Sequence, residues 1–272
     1  NLKIDKHYYE SQVYKRGKEI ILEQYKKGNV QKKLDGAYYI DLSEENLGEK
    51  ILLRADGTSI YITQDLYLAV LRKKEFDFDR MFYVVATEQN HHFHVLFSIL
   101  KKFGYKWAGK LLHLNYGLVN LESGRMKSRE GTVVDADDII KELKSLALKE
   151  IETRYKNLRE KEKSQRAMKI AMAALRYYFL KVERGKDILF KPEESISFDG
   201  NTGPYLLYSY ARAKSILTRA KKKKFKVRYI DDKEKALVMH LSSFPNVAQQ
   251  AYETLSPNLV ANYAFSLAQT FN

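Results

Sequence analysis

Three cations, Arg125, Lys127 and Arg129, stand between Gly124 and Gly131, in a segment that follows an apolar, β-like run over 111–119. Glycine reaches backbone angles closed to other residues, so a segment punctuated in this way folds tightly over a ligand. Its cations and free backbone N–H groups suit an anion, and phosphate is the natural candidate. Downstream, Asp135 reads as an N-cap, with Asp137 and Asp138 in the first turn of a helix. A solvated basic turn is the competing reading, because runs of charge are mostly surface.

A second group of residues suits a cation. In Arg54-Ala-Asp-Gly-Thr-Ser-Ile-Tyr61-Ile-Thr-Gln-Asp65, the Asp56-Gly57 turn leads into a short strand over 58–62 and then a helix over 64–74. Ligands of open α/β sheets bind beyond the carboxyl ends of strands, which puts Tyr61 and Asp65 where a pocket opens. A carboxylate there fits the planar fork of a guanidinium. The alternative is that Asp65 only caps the helix and Tyr61 only packs. Val84-Val-Ala-Thr-Glu-Gln89-Asn-His-His92-Phe93 likewise ends a strand and opens a helix. His91, His92 and His94 raise the question of a metal. Adjacent helical residues point about 100° apart, and no cysteine or obvious carboxylate completes a ligand set, so no metal site is expected.

The elements that must position these groups follow from periodicity. A polar helix is expected over 8–27, then strands over 37–41 and 51–54 around an acidic turn. Strand 81–86, helix 91–103 and strand 111–118 continue the alternation begun at 51–74. Met81-Phe-Tyr-Val-Val-Ala86 is nearly all apolar, as for a strand covered on both faces. Strand–helix alternation argues for a doubly wound α/β domain, of which about half is present. Beyond the basic loop everything reads helical: 137–155, 160–183, 204–221, 233–254 and 257–271, with Ala171, Leu175 and Tyr178 on one face. Gly185 follows the second of these helices and Pro204 opens the third.

Composition sets wider bounds. A chain of 272 residues, 44% of them hydrophobic, has room for one large domain or two ordinary ones. It has neither a long apolar run of the kind that spans a bilayer nor an apolar leader, so no membrane association is expected. The absence of cysteine excludes disulfides and thiolate metal sites and fits a reducing, cytoplasmic setting. A net charge of +14, with 20 tyrosines and 13 phenylalanines as stacking surfaces, favours a polyanionic partner, nucleic acid first. The plain alternative is a basic protein whose aromatics fill its core. The run 221–228, rich in lysine, is a phosphate contact or a solvated loop.

Three segments carry a resemblance. Arg125-Met126-Lys127-Ser128-Arg129, followed by Glu130-Gly-Thr-Val-Val134, resembles the Lys-Met-Ser-Lys-Ser signature of class I aminoacyl-tRNA synthetases in the form carried by arginyl-tRNA synthetases. The segment 54–65 is similar to that family's Ser-Asp-Gly-Thr…Tyr-Leu-Thr-Arg-Asp, with Ala55 for the serine and Gln64 for the arginine, and 89–93 to its Gln-x-x-His-Phe. Most specific is Phe198-Asp-Gly-Asn-Thr-Gly-Pro-Tyr205 with Tyr208, Tyr210 and Arg212, which resembles the element where arginyl enzymes enter their anticodon-binding domain. The resemblance implies that Tyr61, Asp65, Gln89 and His92 bind arginine. It implies further that Arg125, Lys127 and Arg129, with Met126 and Ser128, act on the ATP phosphates, and that Tyr205, Tyr208 and Arg212 meet tRNA. Where the family often has a lysine, this chain has Ser128 and then Arg129, so which cation meets the phosphates stays open.

The implied fold is the second half of a doubly wound, Rossmann-like α/β catalytic domain followed by an all-α anticodon-binding domain. The divisions would be an inserted or connective segment over 1–50, catalytic fold over 51–140, a helical connection over 141–200 and the anticodon-binding domain over 201–272. The implied activity is ATP-dependent attachment of arginine to tRNA in the cytoplasm, with Mg²⁺ on the ATP. A His-x-Gly-His signature has no match, so the chain is expected to be a fragment, short at both ends, that does not activate arginine by itself. The rival reading is a non-catalytic module that holds tRNA or a protein.

Overall fold

A computed structural model describes residues 3–13, 16–121, 135–220 and 229–272, and the backbone of 124–125. They fall into two compact units that divide between Asn115 and Tyr116.

In the first unit, α1 (Glu10–Val13) and α2 (Gly17–Lys26) precede β1 (Gln31–Lys32), β2 (Tyr38–Asp41) and β3 (Glu49–Leu53), which form an antiparallel sheet in that order. Then come α3 (Tyr61–Phe76), β4 (Met81–Ala86), α4 (Asn90–Lys102) and β5 (Leu111–Tyr116), with β4 hydrogen-bonded to β5. On α3, Ile62, Leu66 and Ala69 recur at helical spacing and enter one core with Leu52, Leu96 and Ile99. Leu66 and Leu96 have no exposed surface, and burying each contributes on the order of 2 kcal/mol.

Two expectations need correction here. No strand forms over 58–62: Ser59 makes a single bridge to Leu53, Ile60 is the extended N-cap, and Tyr61 already belongs to α3. The turn is closed by the Thr58 N–H donating to Asp56 Oδ1 at 2.8 Å, and Gly57 takes a φ of 77° that favours glycine. Helix then wins because Thr63, fully buried, accepts from the Ile60 N–H at 3.4 Å and donates its own hydroxyl to the Leu52 carbonyl. In β4, Tyr83 is buried against α4, yet Phe82 and Val84 on the opposite face are 41% and 62% exposed. Among the described residues the expected double coverage of this strand is therefore found on one face.

In the second unit, β6 (Val119–Leu121) pairs antiparallel with β7 (Gly124–Arg125) and parallel with a strand introduced later in the chain, β8 (Ile188–Phe190). Between them run α5 (Ala136–Arg154) and α6 (Glu160–Leu180). Ile139, Leu143, Ala147 and Ile151 form a stripe on α5, and Ala167, Ala171 and Ala174 a stripe of small residues on α6, so the two helices approach closely. After β8 follow α7 (Pro192–Ile196), α8 (Gly203–Arg219), α9 (Asp232–Ser242), α10 (Phe244–Thr254) and α11 (Asn258–Phe271). The single helix expected over 233–254 is two, because Pro245 sits in the first turn of α10 and the chain turns at Ser243, whose N–H donates to the His240 carbonyl at 3.1 Å. No described helix is long and apolar enough to cross a membrane.

Candidate functional site

The head of α3 and the head of α4 meet in one place. His92 Nε2 lies 2.7 Å from Asp65 Oδ2, a contact that joins residues 27 apart in sequence. Beside an ionised carboxylate this nitrogen must carry the proton, so the imidazole donates. Both side chains are partly open to solvent, 36% for Asp65 and 26% for His92. A carboxylate accepts up to about four hydrogen bonds; His92 takes one, which leaves Asp65 capacity for a guanidinium fork. Tyr61 stands one turn before Asp65 on α3 and is 79% exposed. Gln89 ends a short 3₁₀ turn over Thr87–Gln89 at the carboxyl end of β4 and is exposed. It lies three residues ahead of His92, on the same side of the α4 entrance. Sequence reasoning placed these four residues near strand ends, and the structure places Asp65 against His92 with Tyr61 and Gln89 on the flanking first turns.

Two neighbours of this pair lie outside the motifs. Arg72, two turns beyond Asp65 on α3, lies over the Tyr83 ring with Cζ 5.8 Å from its centroid, and over the Tyr8 ring at 5.2 Å. Among the described residues the buried Tyr83 hydroxyl has no hydrogen-bond partner. Burial pushes its pKa up to about 12, the Arg72 guanidinium pulls the other way, and the Asp65 carboxylate adds to the rise. The available signals were the seven-residue spacing from Asp65 to Arg72 and the one polar-tipped side chain in the apolar run 81–86.

The basic loop is a different matter. Met126, Lys127, Ser128 and Arg129 lie outside the described residues, as does the run 221–228, and Arg125 is described by its backbone in β7.

Farther along, the turn before α8 is tightly built. Thr202 caps the helix, accepting from the Tyr205 N–H at 3.3 Å, and its hydroxyl donates to the Ser197 carbonyl at 2.6 Å. The Tyr177 hydroxyl donates to Asn201 Oδ1. A methyl on Gly203 would stand 2.1 Å from the Ala173 carbonyl oxygen of α6, so glycine permits the α6–α8 contact. On α8 itself, Tyr205 is half-buried against Phe265, ring centroids 5.5 Å apart, whereas Tyr208 is 50% exposed. Arg212 is exposed and reaches Asn272 at 3.5 Å. Packing thus claims part of Tyr205 and leaves Tyr208 and Arg212 facing solvent.

An α/β unit followed in the chain by helices has the architecture of a class I aminoacyl-tRNA synthetase catalytic domain with its anticodon-binding domain. Residues 1–191 match the model of tRNA synthetases class I (R), catalytic domain, and residues 206–272 match the DALR anticodon binding domain. The chain belongs to the arginyl-tRNA synthetase family. It is 46% identical to the arginine–tRNA ligase of Flavobacterium psychrophilum, over 98% of this chain and 45% of that protein. With the arginine–tRNA ligase of Treponema denticola the identity is 44%, over 100% of this chain and 48% of the relative. The solved arginyl-tRNA synthetase of Thermus thermophilus superposes with a TM-score of 0.83 at 25% identity, covering 96% of this chain and 50% of that one. The chain spans about half the length of the curated relatives it matches.

Proposed function

We infer that the complete protein attaches arginine to its tRNA with ATP as co-substrate. The observation that carries this reading is the 2.7 Å contact between Asp65 and His92. It holds a carboxylate at the head of α3, one turn from the exposed ring of Tyr61, in the segment that resembles the family's arginine-binding element. Asp65 takes the guanidinium through paired N–H···O bonds, and the Tyr61 ring offers its face to the same cation. Gln89 binds the amino acid through its amide, and His92 lines the site while keeping Asp65 in place.

Arg125, Lys127 and Arg129, with Met126 and Ser128, neutralise the ATP phosphates. ATP enters with its own Mg²⁺ as part of the substrate. A carboxylate oxygen of arginine attacks the α-phosphorus, the bond to pyrophosphate breaks, and arginyl adenylate forms. A ribose hydroxyl at the tRNA end then attacks the carbonyl carbon and AMP leaves. Positioning and charge neutralisation supply most of the acceleration, so no side chain need act as nucleophile. In this reading residues 51–140 belong to the catalytic fold, 1–50 are an inserted or connective segment, 141–200 connect, and 201–272 hold tRNA through Tyr205, Tyr208 and Arg212. The setting is the cytoplasm.

The test is pyrophosphate exchange into ATP by the complete protein, run over the amino acids with and without tRNA. Exchange that requires arginine, together with arginylation of tRNA, is the expected result. Exchange with another amino acid overturns the substrate assignment, and none with any amino acid favours a non-catalytic module.

A further inference from the structure

At the C-terminal end of α5, a recess of about 420 Å³ opens between α5, α6 and the start of α8. Three aromatic rings, Tyr155, Phe198 and Tyr208, and three cations, Arg154, Arg166 and Lys169, line it. Tyr155 is 52% exposed and Tyr208 50%, so two broad ring surfaces face water. The cations are organised around these rings. Arg154 lies 5.0 Å from the Phe198 centroid and Arg166 lies 5.9 Å from that of Tyr155. Each arginine is steadied by a carboxylate one turn earlier, Glu150 at 3.3 Å and Glu162 at 2.6 Å. Such surface pairs are weak, and both guanidiniums stay about half exposed.

We propose that this recess takes one unstacked nucleotide of the bound tRNA, its base among Tyr155, Phe198 and Tyr208 and its phosphate at Arg166 and Lys169. The proposal rests on the reading of the complete protein as a tRNA ligase and extends the contact of Tyr208 to a nucleotide site shared with Tyr155 and Phe198. The chemistry favours RNA over a protein partner. Aromatic rings with guanidiniums against them are the means by which single-stranded bases are held, since every base offers a π-face. Three cations against two carboxylates, Glu150 in the lining and Glu162 on Arg166, leave a positive excess that complements a phosphodiester. The volume falls within the range of pockets for small ligands. An apolar helix of a partner protein would instead bury Arg154, Arg166 and Lys169 without a phosphate to meet them.

The experiment uses the complete protein and a tRNA transcript with an arginine anticodon, titrated at several salt concentrations. Tyr155→Ala is expected to weaken tRNA binding about tenfold, the worth of one stacked base, with Tyr155→Phe restoring it. Lys169→Gln is expected to weaken binding a few-fold and to reduce the slope of log affinity against log salt by about one. Photo-crosslinking from a substituted tRNA nucleotide to the peptide containing Tyr155 would support the same contact. Wild-type affinity in both Tyr155→Ala and Lys169→Gln overturns the proposal. So does a loss in Tyr155→Ala that Tyr155→Phe fails to restore and that tracks a lowered melting temperature, because that marks a packing role. If the unaltered complete protein binds no tRNA, the ligase reading falls as well; if it binds and charges tRNA while the variants bind normally, only the recess is lost.

Discussion

Tyr83 lies outside the motifs, yet it stands close enough to Arg72 and Asp65 to feel both charges. Its hydroxyl is buried with no hydrogen bond of normal geometry among the described residues, the Arg72 guanidinium being close enough only to lower its pKa, and burial still suppresses its acidity to a pKa of about 12. An unbonded buried hydroxyl is costly, so Tyr83→Phe is expected to raise stability by about 1 kcal/mol near neutral pH. The same tyrosine sets an alkaline limit. Its folded pKa lies above the ordinary tyrosine value of about 10, so the fold, which favours the neutral phenol, keeps its full stability below that pH and loses it as pH rises towards about 12. That loss amounts to roughly 3 kcal/mol. Urea unfolding midpoints across this range, with tyrosinate absorbance, check both points: Tyr83→Phe should flatten the alkaline decline, and an unchanged decline contradicts the account. Tyr61, Asp65, Gln89 and His92 stand out in the sequence as candidates because they sit in short segments that resemble a family. The pairing of Asp65 with His92, and the nearness of Tyr83 and Arg72, do not. Those depend on how α3 and α4 pack, and local spacing carries no record of a contact between residues 27 apart.

Helices were the most legible elements, because the 3.6-residue recurrence of apolar side chains survives in α5, α6 and α8. The run 58–62 was misread because Thr58, Ile60 and Ile62 mimic a strand, and the buried hydroxyl of Thr63 decides otherwise by tying the first turn of α3 to Leu52. Thr63→Val keeps the shape and removes both bonds. It is expected to cost about 1–2 kcal/mol in unfolding free energy and to raise the KM for arginine in the complete protein, since Asp65 rides on that turn. A variant with unaltered stability and KM would show that the anchor is idle. Gly203 plays the matching part for α8. Gly203→Ala sets a methyl 2.1 Å from the Ala173 carbonyl oxygen and must push α6 and α8 apart, at a cost on the order of 2–3 kcal/mol. An unchanged denaturation midpoint would mean the two helices separate freely.

For the molecule as a whole, the charge of +14 was the broadest signal and pointed to a polyanion before any motif was considered. Composition does not say where such a partner lies. The structure adds exposed Tyr208 and Arg212 on α8, and arginines stacked on Tyr155 and Phe198 below it in the chain. Binding of tRNA by the complete protein is expected to fall log-linearly with salt, each neutralised phosphate adding about 0.7 to 0.9 to the slope. Affinity that is flat in salt would remove the electrostatic reading. The signature loop, equally plain in the sequence, falls on residues 126–129, outside those described, and its part in the chemistry rests on resemblance.

The central claim is that the Asp65 carboxylate recognises a guanidinium, and citrulline, neutral but nearly the same shape as arginine, tests it most directly. In the complete protein, kcat/KM for pyrophosphate exchange with arginine should exceed that with citrulline by a wide margin. Asp65→Asn, which preserves shape and removes charge, should lower the arginine value on the order of a hundredfold, the worth of one charge-assisted bond pair, and narrow that margin. A margin as wide in Asp65→Asn as in the unaltered protein would contradict the account.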